Sequence, residues 1–444
     1  MRSRKIITVQ APASKSLSHR ALIAAGLAHG QSSLSGTLRS RDTEQTMACM
    51  SACGAGFEFL DDTVAVAGVS GRPKGGTRAP VSLDVGESGT TCRLMTAVAA
   101  AGCGAFFLDG QGRMHERPMG ALTRALTTLG TKFEWRGRAN FPPFVIHADG
   151  LSGGTVTVDI GESSQYLSGL LLASPLAKAP LCVEISGQRI VSWPYVALTL
   201  QVLEDFGIQV VVEIKERGSW SAVPWRGLLL AEPGKVRFKI QSTGYRAGRY
   251  QVEGDWSNAS YFLAAGALGP SGVRVTGLRR DSLQGDKVLL SILKRMGANI
   301  SWRKDAVTVK PGGLKGVALD MGACPDLVPT VAVLASQARG ETRIHNVAHL
   351  RFKESDRLAA VAKELSRTGC GVMALEHGLC IYPSPLSAPS AGRTMKFRTY
   401  NDHRMAMSLS LLSLAGVRVG LDNPGCVDKS FPGFWDEWKK VVPL

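Results

Sequence analysis

Four absences frame this chain of 444 residues. It contains no Cys-x-x-Cys, and its nine cysteines are odd in number and scattered, which argues against a disulfide framework or the usual zinc spacings. Free thiols in a reducing cytoplasm are expected instead, with Cys49 and Cys53, spaced i, i+4 in an apolar stretch, serving helix packing. Apolar runs such as Leu170-Leu171-Leu172-Ala173 fall far short of the ~20 residues of a membrane span. The basic N-terminus reaches Pro12 without a hydrophobic h-region, so neither a signal nor a transit peptide is expected. No run of five or six basic residues and no aromatic-rich strand of the RNA-reading kind occurs, so nucleic acid is not expected as a partner.

Positive charge is plentiful. Lys and Arg number 52 against 36 Asp and Glu, a net +16 at pH 7. Because these residues are dispersed singly, they fit a cleft for small polyanionic substrates better than a polybasic tail. Hydrophobic residues make up 44% of the chain, with a mean hydropathy of +0.04. That describes a soluble globular protein, and the length calls for two domains.

Six segments share a polar opening that runs into a helix of small and apolar residues. They begin at Ser14, Glu87, Ser163, Ser257, Pro325 and Asn401, recurring roughly every 70 to 95 residues. Between them a second helix closes on Gly and is followed by two short strands, with Gly56, Gly130, Gly207, Gly297 and Gly369 as the expected left-handed stops. The last copy is cut short at Phe434-Trp435-Asp436-Glu437-Trp438. Helix, strand, helix, two strands, repeated six times, predicts an α/β fold of two similar lobes, each of three βαβαββ-type units, with the active site in the cleft between them. The stretch from Glu232 to Gly254 reads as the hinge, and the strand Lys5 to Gln10, lacking a unit of its own, as a partner of the C-terminal half. The expected lobes are residues 14–240, and residues 1–13 with 241–444.

The helix openings carry chemistry. Free N–H groups and the dipole at a helix N-terminus attract anions. Any one Ser, Thr, Asn or Asp there reads as an ordinary N-cap, but several openings also embed a cation: Lys15, Arg20, Arg93 and Arg404. Two further runs are denser still. In Arg351-Phe352-Lys353-Glu354-Ser355-Asp356-Arg357 the i, i+4 spacing sets Lys353 and Arg357 on one helix face with Glu354 beside them. Tyr400-Asn401-Asp402-His403-Arg404 adds a histidine. Cations beside a carboxylate suit an anionic ligand whose chemistry moves a proton.

Taken in order, Ser14-Lys15-Ser16-x-Ser18-x-Arg20, Gly89-Thr90-x-x-Arg93, Arg113-Met114-x-Glu116-Arg117-Pro118, Ser163-Ser164-Gln165, Gly254-Asp255, Lys353-Glu354-x-Asp356-Arg357, Asn401-Asp402-His403-Arg404-Met405-Ala406 and Lys429-x-Phe431-Pro432 resemble the 5-enolpyruvylshikimate-3-phosphate synthases across nearly the whole chain. The resemblance implies transfer of the enolpyruvyl group of phosphoenolpyruvate to shikimate 3-phosphate, with no cofactor and no metal, by a cytoplasmic monomer. It implies that Ser16, Arg20, Ser163, Ser164, Ser192 and Tyr195 hold shikimate 3-phosphate, together with Lys15, Asp326, His349 and Lys353. Lys15, Gly89, Arg117, Arg357, Arg404 and Lys429 would surround phosphoenolpyruvate, with Gln165 between the two substrates. Lys15, Asp326, Glu354 and His403 are the implied catalytic groups, their division of labour left open.

Four positions depart from the family pattern. Glu87-Ser88 stands where Asn-Ala is common and sets a carboxylate near the expected anion site. Leu94 replaces a frequent Pro, and His349 a frequent Asn. Gly89, lacking a side chain, leaves the room that glyphosate inhibition requires, so moderate sensitivity is expected. The related UDP-N-acetylglucosamine enolpyruvyl transferases typically carry a Cys in a mobile loop, and Gly110 to Pro118 has none. RNA 3′-phosphate cyclases use a related repeated α/β unit, but this chain shows no aromatic-rich RNA-reading strand and no basic run.

Overall fold

Two kinds of helix alternate along the chain, and their pairing builds the fold. The computed structural model describes residues 6–228, 231–383 and 394–442. Their contacts divide the chain into two compact units, Ala13–Val252 and Met1–Pro12 with Glu253–Leu444.

In the first unit the pairs are α1 (Lys15–Leu27) with α2 (Arg41–Ala52), α3 (Gly89–Ala100) with α4 (Gly120–Thr128), and α5 (Gln165–Ala173) with α6 (Pro194–Asp205). Helix α1 is buried from Leu17 to Leu27, α3 over nearly all its length, and α5 from Tyr166 to Ala173. A helix apolar on every face must be packed on every face. Small residues permit this: a Cβ on Gly169 of α5 would lie 3.0 Å from the Arg93 carbonyl of α3. Each fully buried Leu or Ile here, such as Leu17, Leu22 or Ile23, contributes about 1.5–3 kcal/mol. Helices α2 and α4 are two-faced and carry exposed residues on their outer sides.

Each pair faces its own small sheet. The middle sheet runs Val81–Asp84, Cys103–Asp109, Phe144–Asp149, Lys132–Trp135, its first pair parallel and the rest antiparallel. The third sheet follows the same plan from Gly154–Asp159, but the hairpin Val210–Glu216 and Ser219–Val223 adds a fifth, edge strand. The first sheet borrows its leading strand from far along the chain: Arg249–Gln251 lies parallel to Gln31–Ser35.

The second unit repeats the scheme with α7 (Trp256–Leu268) and α8 (Leu289–Met296), α9 (Val328–Ser336) and α10 (Arg357–Ser366), and α11 (His403–Ser410) and α12 (Phe434–Trp438). Its first sheet takes its leading strand from the chain start, Ile7–Gln10 parallel to Val273–Thr276. Lys5, expected to begin that strand, lies outside the described residues. Among the described residues the last sheet has two strands, Met395–Phe397 and Val419–Leu421. An aromatic cluster of Phe262, Phe431, Phe434 and Trp438 closes this core.

Three local expectations are corrected. The stretch from Glu232 to Gly254, read as a hinge, carries two strands, Val236–Ile240 and Arg249–Gln251, whose pairings tie them into the first unit, and the chain leaves that unit at Val252. After α2 the left-handed residue is Gly54 (φ 106), not Gly56, which opens the next strand; Gly130, Gly207, Gly297 and Gly369 do take φ between 81 and 104. Lys353 and Glu354 are not helical. Asp356 caps α10 by accepting from Ala359 N at 3.0 Å, so the helix begins at Arg357 and Lys353 stays extended. Among the described residues no helix is long and apolar enough to cross a membrane.

Candidate active site

In the first unit the expected residues gather at the starts of the buried helices. Lys15 is the first residue of α1, after the N-cap Ser14, and its ammonium pairs with the Asp42 carboxylate on α2. Asp42 is buried, and its carbonyl accepts from Thr91 Oγ1 of α3 at 3.3 Å. Gly89 opens α3 behind the N-cap Ser88. A Cβ on Gly89 would lie 2.3 Å from Arg117 Nη1 and 2.9 Å from Arg93 Nη1, so two guanidiniums rest against that glycine. Arg93 donates to Gln165 Oε1 at 2.9 Å, and Gln165 Nε2 donates to Thr90 Oγ1 at 2.8 Å, which fixes the amide's orientation. Tyr166 donates to the Pro118 carbonyl at 2.6 Å and so anchors the loop carrying Arg117 to α5.

Arg20 binds inward. It is 1% exposed, donating from Nε to Thr199 Oγ1 at 2.8 Å, from Nη1 to the Ser16 carbonyl at 2.8 Å, and from Nη2 to Ser168 Oγ and the Tyr195 carbonyl, both at 3.2 Å. Burial pushes its pKa down to about 10, against smaller opposing effects of Tyr195 and Tyr250, so it stays cationic at neutral pH. Arg20 thus ties α1, α5 and α6 together behind the helix openings. Ser163 and Ser164 precede α5, Ser163 Oγ accepting from Gln165 N at 3.3 Å. Ser192, with φ 53, and Tyr195 lie at the start of α6. His19, fully buried beside Lys15 and Arg20, is held neutral by burial and by those two charges.

The second unit gathers the rest around Arg357, which is 1% exposed. Its Nε donates to Asp402 Oδ2 at 2.8 Å, Nη1 to Asp326 Oδ1 at 2.9 Å, and Nη2 to Glu354 Oε2 at 2.9 Å and Asp402 Oδ1 at 3.2 Å. Arg404 reaches the other Asp326 oxygen from Nη2 at 2.8 Å and donates from Nη1 to Ser257 Oγ at 2.5 Å. Lys429 Nζ stands 3.7 Å from Glu354 Oε1. His403, the first residue of α11, has Nδ1 3.9 Å from Asp402 Oδ1. Burial would raise the Asp326 pKa, but Arg404, Arg357 and Lys353 outweigh it and hold the carboxyl well below the usual range. Burial likewise opposes the charge on Arg357, and Asp402, Glu354 and Asp326 overcome it. His349 is buried on the short turn Ala348–Phe352 that leads into Lys353.

Such arrangements of guanidiniums suit carboxylate and phosphate. Lys15, Arg20, Arg93 and Arg117 gather around the helix openings of the first unit, with Asp42 as the counter-ion of Lys15. In the second unit the charges nearly balance. Sequence reading missed Asp42 and Asp402 as counter-ions and Arg93 as the partner of Gln165; Asp42 had only the N-cap-like Ser40-Arg41-Asp42-Thr43 as a signal. The Glu87 carboxylate lies against the Gly112 loop, 2.8 Å from a Cβ built there.

The comparisons with known proteins agree with one another. Residues 4–438 match the family model of EPSP synthase (3-phosphoshikimate 1-carboxyvinyltransferase). A 3-phosphoshikimate 1-carboxyvinyltransferase of Thiobacillus denitrificans is 40% identical, with 99% of this chain and 98% of the relative covered. One from Shewanella amazonensis is 39% identical, with 98% and 96% covered. The EPSP synthase structure of Acinetobacter baumannii superposes with a TM-score of 0.73 at 25% identity, covering 99% of this chain and 97% of that one. A chain matched from end to end by model, sequence and structure belongs to the EPSP synthase family.

Proposed function

We propose that the charged residues described above carry the family's reaction in the roles that follow. The chain transfers the enolpyruvyl group of phosphoenolpyruvate to the 5-hydroxyl of shikimate 3-phosphate in aromatic biosynthesis. The hydroxyl oxygen bonds to C2 of phosphoenolpyruvate while C3 gains a proton, giving a tetrahedral intermediate. C3 then loses a proton as the bond to phosphate breaks, leaving the enolpyruvyl ether and free phosphate.

Arg357, Arg404, Lys429 and Arg117 hold the phosphoenolpyruvate anion, with Lys15 and Gly89. Ser16, Ser163, Ser164, Ser192, Tyr195, His349 and Lys353 hold shikimate 3-phosphate, while Gln165 lies between the substrates. Arg20 supports this set from behind, a role favoured by its four bonds to protein acceptors. Asp326 takes the hydroxyl proton, and Glu354, between Arg357 and Lys429, moves the proton at C3. Lys15 and His403 assist at the leaving phosphate. The protein works as a cytoplasmic monomer, a reading in keeping with its nine free cysteines.

One observation carries the reading: the buried guanidiniums of Arg357 and Arg404 converge on the two oxygens of a single carboxylate, Asp326. Two cations held so close are set to receive a carboxylate or phosphate. Arg404→Lys keeps the charge but loses the paired donors, and it should raise the KM for phosphoenolpyruvate about tenfold. An unchanged KM would remove Arg404 from the anion site.

A further inference from the structure

Immediately before Asp402 the backbone makes a turn that Tyr400 disfavours. Asp402 N donates to the Thr399 carbonyl at 2.9 Å, and both central residues, Tyr400 and Asn401, have φ 55. Such a turn favours Asn-Gly or Gly-Gly, and a bulky aromatic residue in its first central position is strained. Something outside the turn must hold it.

The holding group is a carboxylate buried on α10. Glu364, with its side chain 0% exposed, accepts from Tyr400 OH at 2.8 Å on one oxygen and from Arg398 N at 3.2 Å on the other. Arg367 approaches the second oxygen at 3.6 Å. Thr399 is fixed from its far side by Asp422 Oδ1, which accepts from both Thr399 N and Oγ1 at 2.8 Å. Glu364 lies seven residues after Arg357, two turns along the same face of α10. One helix therefore grips the segment twice: Arg357 binds Asp402 directly, and Glu364 binds the turn that delivers Asp402. Asp402 in turn accepts from Arg404 N at 2.9 Å, from Ser355 Oγ at 3.0 Å and from two nitrogens of Arg357.

We propose that Glu364 is a positioning residue for the transfer reaction: through Tyr400 and Arg398 N it holds the strained turn that sets Asp402, and so aligns the Arg357 and Arg404 guanidiniums. The proposal rests on the assignment of those two arginines to phosphoenolpyruvate.

The test is a set of substrate saturation curves for Tyr400→Phe, Glu364→Gln, Tyr400→Asn and Arg404→Lys, each with its melting temperature. Tyr400→Phe removes one oxygen, and Glu364→Gln leaves a single acceptor oxygen for two donors, Tyr400 OH and Arg398 N. Both should raise the KM for phosphoenolpyruvate about three- to tenfold, with the KM for shikimate 3-phosphate within about twofold of the parent. Tyr400→Asn also lacks the phenol, but Asn accepts the left-handed backbone, so its KM should lie between those of the parent and Tyr400→Phe. A general packing role would instead move both KM values together with the melting temperature. That result, or parental KM values in Tyr400→Phe and Glu364→Gln while Arg404→Lys is impaired, overturns the positioning role alone. A parental KM in Arg404→Lys removes the assignment on which the proposal rests, and the proposal with it.

Discussion

Arg404 meets Asp326 at 2.8 Å, its Nη2 on the carboxylate oxygen that Arg357 leaves open. The base proposed for the 5-hydroxyl is thus the counter-ion of two arginines proposed for phosphoenolpyruvate. Asp326→Asn removes the base and unburdens the arginines in one step. Its kcat should fall about 100-fold or more, while its KM for phosphoenolpyruvate stays level or drops. A KM that rises as far as kcat falls would make Asp326 a structural anchor only.

The same pair makes stability depend on pH. Arg404, Arg357 and Lys353 overcome burial and hold the Asp326 pKa below its unfolded value. A carboxyl lowered in this way stabilises the fold fully above the unfolded pKa, about 4, and loses that contribution as pH falls toward the folded value. Below about pH 4 the unfolding free energy of the parent should therefore decline more steeply than that of Asp326→Asn. Parallel curves in urea titrations across that range would contradict the assignment.

Lys15 and Asp42 form a pair in which both side chains are largely buried, at 14% and 6% exposure. Lys15→Met should lower kcat about 100-fold or more and, by stranding the Asp42 charge, destabilise the first unit by about 3 kcal/mol. Adding Asp42→Asn should restore the melting temperature but not turnover. Recovery of both together would place Lys15 outside the chemistry.

Much of this was legible in the sequence because it rests on local rules. The six repeats follow from hydrophobic period and from glycine at helix ends, and Gly130, Gly207, Gly297 and Gly369 take the expected left-handed backbone. The errors arise where longer-range pairing or capping decides. Asp356 ends the reach of α10, so Lys353 never shares a helix face with Arg357. Arg249–Gln251 reads as linker until Gln31–Ser35, some two hundred residues earlier, supplies its partner. Motif reading finds the cations and the nearby Glu354 but not the more distant carboxylates: nothing near Lys15 in sequence announces Asp42, and nothing near Tyr400 announces Glu364.

Gly89 sits under Arg117 and Arg93, and a methyl group there would press on Arg117 Nη1 from 2.3 Å. The end of an arginine can move, so Gly89→Ala should fold normally, but the moved group is a proposed phosphoenolpyruvate ligand. Its KM for that substrate should rise about tenfold, and inhibition by glyphosate, expected to be moderate in the parent, should weaken. A parental KM would show that Arg117 is not needed at that spot.

Glu354 stands between Arg357 and Lys429 and is the group proposed to move the proton at C3. Glu354→Gln should slow hydrogen exchange into the phosphoenolpyruvate methylene far more than it weakens shikimate 3-phosphate binding. Equal loss of both would point to a structural role.

Phosphate release by the purified protein is the sharpest measure of the transfer reaction. With phosphoenolpyruvate present, release should require shikimate 3-phosphate and should not occur with UDP-N-acetylglucosamine as acceptor. Release with the nucleotide sugar but not with shikimate 3-phosphate, or no release with either acceptor, would rule the shikimate 3-phosphate reaction out.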